Sequence, residues 1–307
     1  MGSNPTRPTT DQPGTFHAQF AGVITNHILW LQREGYKPQT IESHSRILRH
    51  LAKQCNLSDP ESVREYLANH RASAGRKENI VGVYSLFSKQ QGIAFSKPRY
   101  TREDSLPFVP LQQEMEAILQ AATNLRHSTL LRLLYETGMR IGEGHAVTFK
   151  SFDFERRTVR VVPEKGSRAR ELKISPKLCA LVMQFYAKYP DGMLPDQQSA
   201  RKHLGRVRRS LAKISCNPRF LNVHLHTFRH FRAIYEYHRT KDLLYVQQIL
   251  GHRSISNTVR YARFVDWETD EYIAKAAKNL EEASKLIESG FDYVTEMDSV
   301  KLFRKRK

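Results

Sequence analysis

The chain has 307 residues, enough for about two domains at ~150 residues each, and its 40% hydrophobic and 26% charged residues describe an ordinary globular protein. Lys and Arg number 49 against 31 Asp and Glu, a formal net charge of +18 that points to a polyanionic partner, nucleic acid before membrane. Three scattered cysteines (Cys55, Cys179, Cys216) without a CxxC pair, no apolar run of ~18 residues and no apolar signal core at the start exclude disulfide-rich, membrane and secreted classes and fit a reducing cytoplasm.

In chain order, the polar, Pro-rich residues 1–14 read as a disordered lead. Phe20, Val23, Ile24, Ile28 and Leu31 recur at helical spacing, and Gly35 closes that helix. A second helix is expected from Thr40 to Lys53. A third is expected after Ser58-Asp59-Pro60-Glu61, where Ser58 and Glu61 have capping-box spacing, and a fourth from Lys77 to Gln90. Phe95 to Pro110 holds three prolines and no periodic face, which reads as a linker. Helices follow near 111–122 and 127–138. Arg157–Val162 and Ala169–Ile174 alternate like strands around a Lys165-Gly166-Ser167 turn. Helices return at 176–188, 197–213, 227–238, 241–250, 257–264 and 269–288, and Phe291-Asp-Tyr-Val and Val300-Lys-Leu-Phe read as short strands.

Charge is uneven along the chain. Residues 197–235 carry nine basic side chains and no acid: Arg201, Lys202, Arg206, Arg208, Arg209, Lys213, Arg219, Arg229 and Arg232. A solvated helix face is the ordinary reading of a charge run, but the complete lack of acids favours a phosphate-tracking surface. His224, His226 and His230 lie close together near Cys216, yet this spacing matches no common zinc module, so packed or phosphate-facing histidines are expected and no metal. From Asp266 to Asp298, ten acids against three bases should keep the segment off a polyanion.

Five elements carry the chemistry. Leu134-Tyr-Glu-Thr-Gly-Met-Arg-Ile-Gly-Glu143 sets Arg140 just past a glycine-broken helix end, and a hairpin presents Lys165. His226-Thr-Phe-Arg229-His230 puts imidazole and guanidinium on one helix face. Leu250-Gly-His252 follows, with Tyr261 nine residues later. Singly each has a dull explanation, as surface arginine, turn lysine, helix start, glycine stop and core tyrosine. Together, as TGMRIGE, KGSRAR, HTFRH, LGH and Tyr261, they resemble the catalytic domain of the tyrosine recombinase (phage integrase) family over residues 111–265. The one departure is Gly144-His145, where that family usually has an aliphatic residue. The end of the chain, GFDYVTEMDSVKLFRKRK, is similar to the ends of archaeal plasmid or viral integrases.

The resemblance implies a mainly α fold with a small β-sheet (α+β): a four-helix core-binding domain at 15–97, a linker at 98–110 and a catalytic domain at 111–265. The acidic stretch and terminal strands at 266–307 are expected to dock on a neighbouring subunit, the alternative being a cover packed in cis. The resemblance also implies strand cleavage in which Tyr261 attacks a DNA phosphodiester, giving a 3′-phosphotyrosyl link and a free 5′-hydroxyl. A phenol with pKa near ~10 is a weak nucleophile at neutral pH and needs a base or a positive field. His226 is the candidate to accept or orient its proton. Arg140 and Arg229 would clamp the non-bridging oxygens in place of a metal. Lys165 would protonate the leaving 5′-oxygen, with Arg168 the competing candidate, His252 would bind a phosphate oxygen, and Glu143 would orient Arg140. Arg168, Arg201, Lys202, Arg206, Arg208, Arg209 and Lys213 are the expected DNA contacts, and no cofactor is expected. The partners would be double-stranded DNA, held in a C-shaped clamp, and a homo-tetramer on two DNA sites, monomer or dimer when free. The competing readings are a topoisomerase that religates the same strand and an architectural DNA-binding protein.

Overall fold

The computed structural model describes residues 16–102, 106–164, 166–263, 272–297 and 300–306. The expected disordered lead, residues 1–14, lies outside these, as do Lys165 and residues 264–271. The chain divides into two compact units, residues 1–105 and 106–307.

Four helices make the first unit: α1 (Phe16–Arg33), α2 (Pro38–Leu51), α3 (Pro60–Asn69) and α4 (Ala74–Gln90). Their apolar faces meet in one core of Ile24, Ile47, Leu48, Leu51, Val63, Leu67, Ile80, Tyr84 and Phe87. Gly35 ends α1 in the left-handed region (φ 74°), which a side chain would strain. The start of α3 corrects the capping-box expectation. Asp59, not Ser58, is the N-cap, and its carboxylate accepts the Glu61 N–H at 3.0 Å, because Pro60 occupies the first turn and supplies no N–H. The core also holds a polar pair that periodicity did not reveal. Fully buried His27 bonds Gln90 Oε1 through Nδ1 (2.8 Å) and His44 through Nε2 (3.3 Å). Burial holds the pKa of both rings below the usual histidine value, which keeps the pair neutral.

The second unit opens with α5 (Gln112–Ala121), α6 (Leu125–Thr137) and the short α7 (Ile141–His145). An antiparallel sheet follows in the order β1 (Phe152–Asp153), β2 (Thr158–Val161), β3 (Arg170–Lys173), with Val159 opposite Leu172. Then come α8 (Pro176–Lys188), α9 (Gln197–Ile214), α10 (Leu225–Thr240), α11 (Leu243–Leu250) and α12 (Ser256–Val259), which runs into a 3-10 turn at Arg260–Arg263. The main core gathers Ile118, Leu130, Leu134, Val159, Val161, Leu178, Val182, Phe185, Phe228 and Phe231. The stretch read as a linker is anchored at both ends. Tyr84 packs edge-on against Phe95 at 4.7 Å, and Phe108 packs against the second unit's core. The fold class is the expected one: mostly helical with small sheets.

The C-terminal stretch differs from expectation. In place of one helix over 269–288, the chain forms β4 (Tyr272–Ala277) and then α13 (Leu280–Glu288), β5 (Asp292–Met297) and β6 (Val300–Arg306), in the sheet order β4-β6-β5. The alanines of β4 favour a helix locally, but six residue pairs with β6 override that preference, and Asn279 caps the helix start by accepting the Glu282 N–H at 2.8 Å. Ala277, Ala283, Phe291 and Phe303 form a small core of their own.

Candidate active site

The site is assembled where α6, α7, β3, α10, α11 and the 3-10 turn end or begin. Gly138 terminates α6 with φ 63°. A Cβ there would be strained by that conformation and would crowd the side chains of Arg232 and Leu250, each 3.1 Å away. Arg140 comes two residues later as the N-cap of α7. Its backbone N–H donates to Glu143 Oε2 (2.8 Å), and its guanidinium lies 3.4 Å from Oε1.

Glu143 is the hub. It is 1% exposed and accepts Arg170 Nη2 (2.8 Å), Arg170 Nη1 (3.3 Å) and Ser167 Oγ (2.7 Å). Burial alone would raise its pKa, but the hydrogen bonds from Arg170 and Ser167 and the charge of Arg170 hold it down at about 2. Arg170 also donates to the Ile249 carbonyl (2.8 Å), so one guanidinium ties β3 to α7 and α11.

Arg229 is 2% exposed on α10 and donates to the carbonyls of Gly138 (2.9 Å) and Leu250 (2.7 Å). These carbonyls sit at the C-terminal ends of α6 and α11, where the helix dipoles favour a cation. Burial, and then Arg140, lower its pKa to about 10, so it stays charged at neutral pH. His252 is buried beside it. Its Nδ1 pairs with Thr258 Oγ1 at 2.9 Å, and burial together with Arg229, Arg140 and Arg170 pushes its pKa to about 3.

Tyr261 is 2% exposed and packs with Ala233, Ile234, Val246 and Leu250. Burial raises the pKa of its phenol, while Arg229, Arg260 and Arg140 pull it back down. The three guanidinium charges act on a buried phenol whose pKa stays above the usual tyrosine value. A family model described as the phage integrase family matches residues 111–266.

The chain belongs to the phage integrase family.

It is a tyrosine site-specific recombinase, and its relatives agree. It is 25% identical over 272 residues to tyrosine recombinase XerA of Pyrococcus horikoshii, covering 83% of this chain and 93% of that one. It is 31% identical over 180 residues to tyrosine recombinase XerC of Bacillus subtilis, covering 52% and 58%. Among solved structures, the Tn1549 transposon integrase in complex with circular intermediate DNA gives a TM-score of 0.62 at 18% identity, covering 87% of this chain and 98% of that chain. A lambda integrase dimer bound to a COC′ core site also gives 0.62, at 13% identity, covering 81% and 98%. At these identities the likeness shows the fold.

The structure of the recombinase brings Arg140, Glu143, Arg229, His252 and Tyr261 together, with His226 exposed at their edge. Burial among its neighbours, then Arg229, Arg140 and Arg260, lower the His226 pKa. Lys165 lies outside the described residues. Arg168 is exposed, with its backbone N–H on the Gly251 carbonyl at 3.1 Å. Lys202, Arg206, Arg209 and Lys213 form an exposed stripe along α9, spaced as one helix face requires, with Arg201 exposed on the next row. Arg208 is occupied: its Nη1 donates to the Val223 carbonyl (2.9 Å) and to His224 Nδ1 (2.7 Å). The Gly144-His145 departure has a local reason. A Cβ at Gly144 would lie 3.1 Å from Leu130 and 3.2 Å from Leu134, and His145 Nδ1 donates to the Leu194 carbonyl at 2.6 Å.

Three residues inside the quoted motifs KGSRAR and HTFRH were given no role of their own in the site. Arg170 shares a strand face with buried Leu172, so the parity of Ala169–Ile174 already pointed it inward. Ser167 was read only as a turn residue. His230, four residues after His226, is the ring that touches the phenol: its Nδ1 lies 3.0 Å from Tyr261 Oη. Among the described residues no group of His, Cys, Asp and Glu could hold a metal ion, and no helix is long and apolar enough to cross a membrane.

Proposed function

We propose that this recombinase cuts and rejoins duplex DNA at specific sites by transesterification, with Tyr261 forming a 3′-phosphotyrosyl link and releasing a 5′-hydroxyl. The observation that carries this reading is the buried Tyr261 phenol within the field of Arg140, Arg229 and Arg260. Arg140 and Arg229 would clamp the non-bridging oxygens of the scissile phosphate, as planar guanidiniums suit that geometry. Arg229 is preset for the task by its two carbonyl bonds, and Arg140 by the Glu143 hub. Neutral His252 would donate a hydrogen bond to a phosphate oxygen, and His226, exposed at the edge, would face the phosphate as well. Lys165, on the loop between β2 and β3, would protonate the leaving 5′-oxygen, with Arg168 next to it. Because the covalent link conserves the phosphodiester bond, religation to a new strand needs no nucleotide.

The α9 stripe would follow the DNA backbone through Lys202, Arg206, Arg209 and Lys213, making affinity steeply salt-dependent. The four-helix unit would serve as the core-binding domain, and four copies would assemble on two DNA sites, with β4 to β6 and α13 as the subunit contact. The experiment is strand exchange between two differently marked DNAs carrying the cognate site. Wild-type protein should yield recombinant products and Tyr261→Phe none. Relaxation of supercoils without exchanged products would instead mean a topoisomerase. Tight binding to the site without either would mean an architectural protein.

A further inference from the structure

The phenol of Tyr261 must lose a proton as it attacks, and the group in contact with that proton is not the histidine to which the motif assigns the task. We propose that His230 is the proton acceptor for Tyr261 in strand cleavage and the proton donor back to it in religation. This rests on the reading of Tyr261 as the nucleophile.

The geometry is direct. His230 Nδ1 and Tyr261 Oη are 3.0 Å apart, within the range for proton transfer. His226 stands edge-on to His230 at 4.6 Å between ring centroids, so the two imidazoles of HTFRH are separated in role: one on the phenol, one toward solvent. The groups facing His230 are His226 and Arg229 from α10, Arg260 and Tyr261 from the 3-10 turn, and His252 from beyond α11. None is an acid. Burial, followed by His226, Arg260, Arg229 and His252, pushes the His230 pKa down to about 3, so the ring is neutral and Nδ1 is free to accept the phenol proton. A bound phosphodiester brings negative charge into the same cluster and raises the ring's proton affinity when the proton has to move.

The step balances. The Tyr261 O–H proton passes to His230 Nδ1 as the Tyr261 Oη–P bond forms. The P–O5′ bond breaks and the 5′-oxygen takes a proton from Lys165, the acid assigned above. In religation the incoming 5′-hydroxyl returns its proton to the now neutral Lys165 amine as it attacks phosphorus, the Oη–P bond breaks, and His230 returns its proton to the phenolate.

The test has two arms. The first compares wild type, His230→Asn, His230→Ala and His226→Asn for single-turnover formation of the covalent adduct on nicked cognate DNA across pH 5 to 9. Asn can hold the phenol by a hydrogen bond where Nδ1 sits but cannot take its proton. Loss of a general base costs about 100-fold or more, so both His230 variants should cut at least about 100-fold slower at every pH in this window with DNA binding intact. His230→Asn cutting at the wild-type rate would overturn the proposal, as would a loss of that size in His226→Asn alone. The second arm needs no DNA. Nitrogen-15 imidazole spectra of the full chain should show His230 as the Nε2–H tautomer, with an Nδ1 resonance that moves in Tyr261→Phe. A proton fixed on Nδ1 would overturn the proposal independently. Absence of any wild-type adduct would count against Tyr261 as nucleophile, and the second arm alone would then decide the state of His230.

Discussion

The catalytic region and the C-terminal sheet are held together by opposite means. Around the site, charges are buried and each is tied to a specific partner: Glu143 to Arg170 and Ser167, Arg229 to two helix-end carbonyls, and Glu236 to Arg232 (2.5 Å) and Arg239 (2.6 Å). Among the described residues of the C-terminal sheet and its helix, Ala277, Ala283, Phe291 and Phe303 are the buried ones and the charged groups lie toward the surface, with Lys275 and Lys305 over the Phe291 ring at 5.3 and 5.7 Å. A buried charge costs several kcal/mol in desolvation unless every partner is present, so the first kind of structure fails sharply when one partner is lost. A small apolar core fails by degrees and locally. If Arg140 and Arg229 clamp phosphate as proposed, the difference matches the demand, because a clamp needs guanidiniums that do not move.

Breaking the hub should give the largest effect. Glu143→Gln leaves the guanidinium of Arg170 buried without its anion and should cost about 3–5 kcal/mol at pH 7 in urea unfolding. The depressed carboxylate pKa sets the sign of the pH dependence. Its contribution is fully present above the unfolded value near 4.5 and is lost as pH falls through about 2. Wild type should therefore lose up to about 3 kcal/mol between those limits, whereas Glu143→Gln should show a flatter acid limb.

A middle-sized effect is expected at Gly251, where φ is 67° and a Cβ would lie 2.8 Å from Arg170 Nη1 and 3.0 Å from the Arg168 carbonyl. Gly251→Ala should cost about 2 kcal/mol, read as a shifted urea midpoint with unchanged slope. The smallest global effect should come from Phe303→Ala. Its cavity should speed hydrogen exchange across 272–306 while leaving the urea midpoint of the catalytic core within about 0.5 kcal/mol of wild type. An equal loss of protection in α6 and α10 would show that the sheet and the site are one cooperative unit after all.

The same contrast decides what the sequence made legible. Arg140, Arg229, His252 and Tyr261 were unremarkable singly and stood out through the order and spacing of their motifs taken together, which carry the family resemblance. Arg170 was less visible, since its role depends on strand parity together with an acid 27 residues away. The pairing of His230 with Tyr261 joins residues 31 apart in sequence and needs α10 and the 3-10 turn to be placed in three dimensions. The β4 strand was hidden for a related reason. Its alanines carry helical propensity, and only the pairing of Tyr272–Ala277 with Lys301–Arg306 makes them a strand. The buried His27–His44 pair was hidden because its members are polar residues at core positions, which an apolar periodicity passes over.

On the proposed mechanism Tyr261, under the charges of Arg140, Arg229 and Arg260, is the group that takes the DNA strand. It is tested by incubating the full chain with DNA carrying its cognate site, digesting both polymers, and weighing the peptide that spans Tyr261, with Tyr261→Phe alongside. A nucleotide remnant on Tyr261 that vanishes in the variant while binding persists is the expected result. Strong binding to that site with an unmodified Tyr261 peptide, or an adduct that survives in Tyr261→Phe, would contradict it.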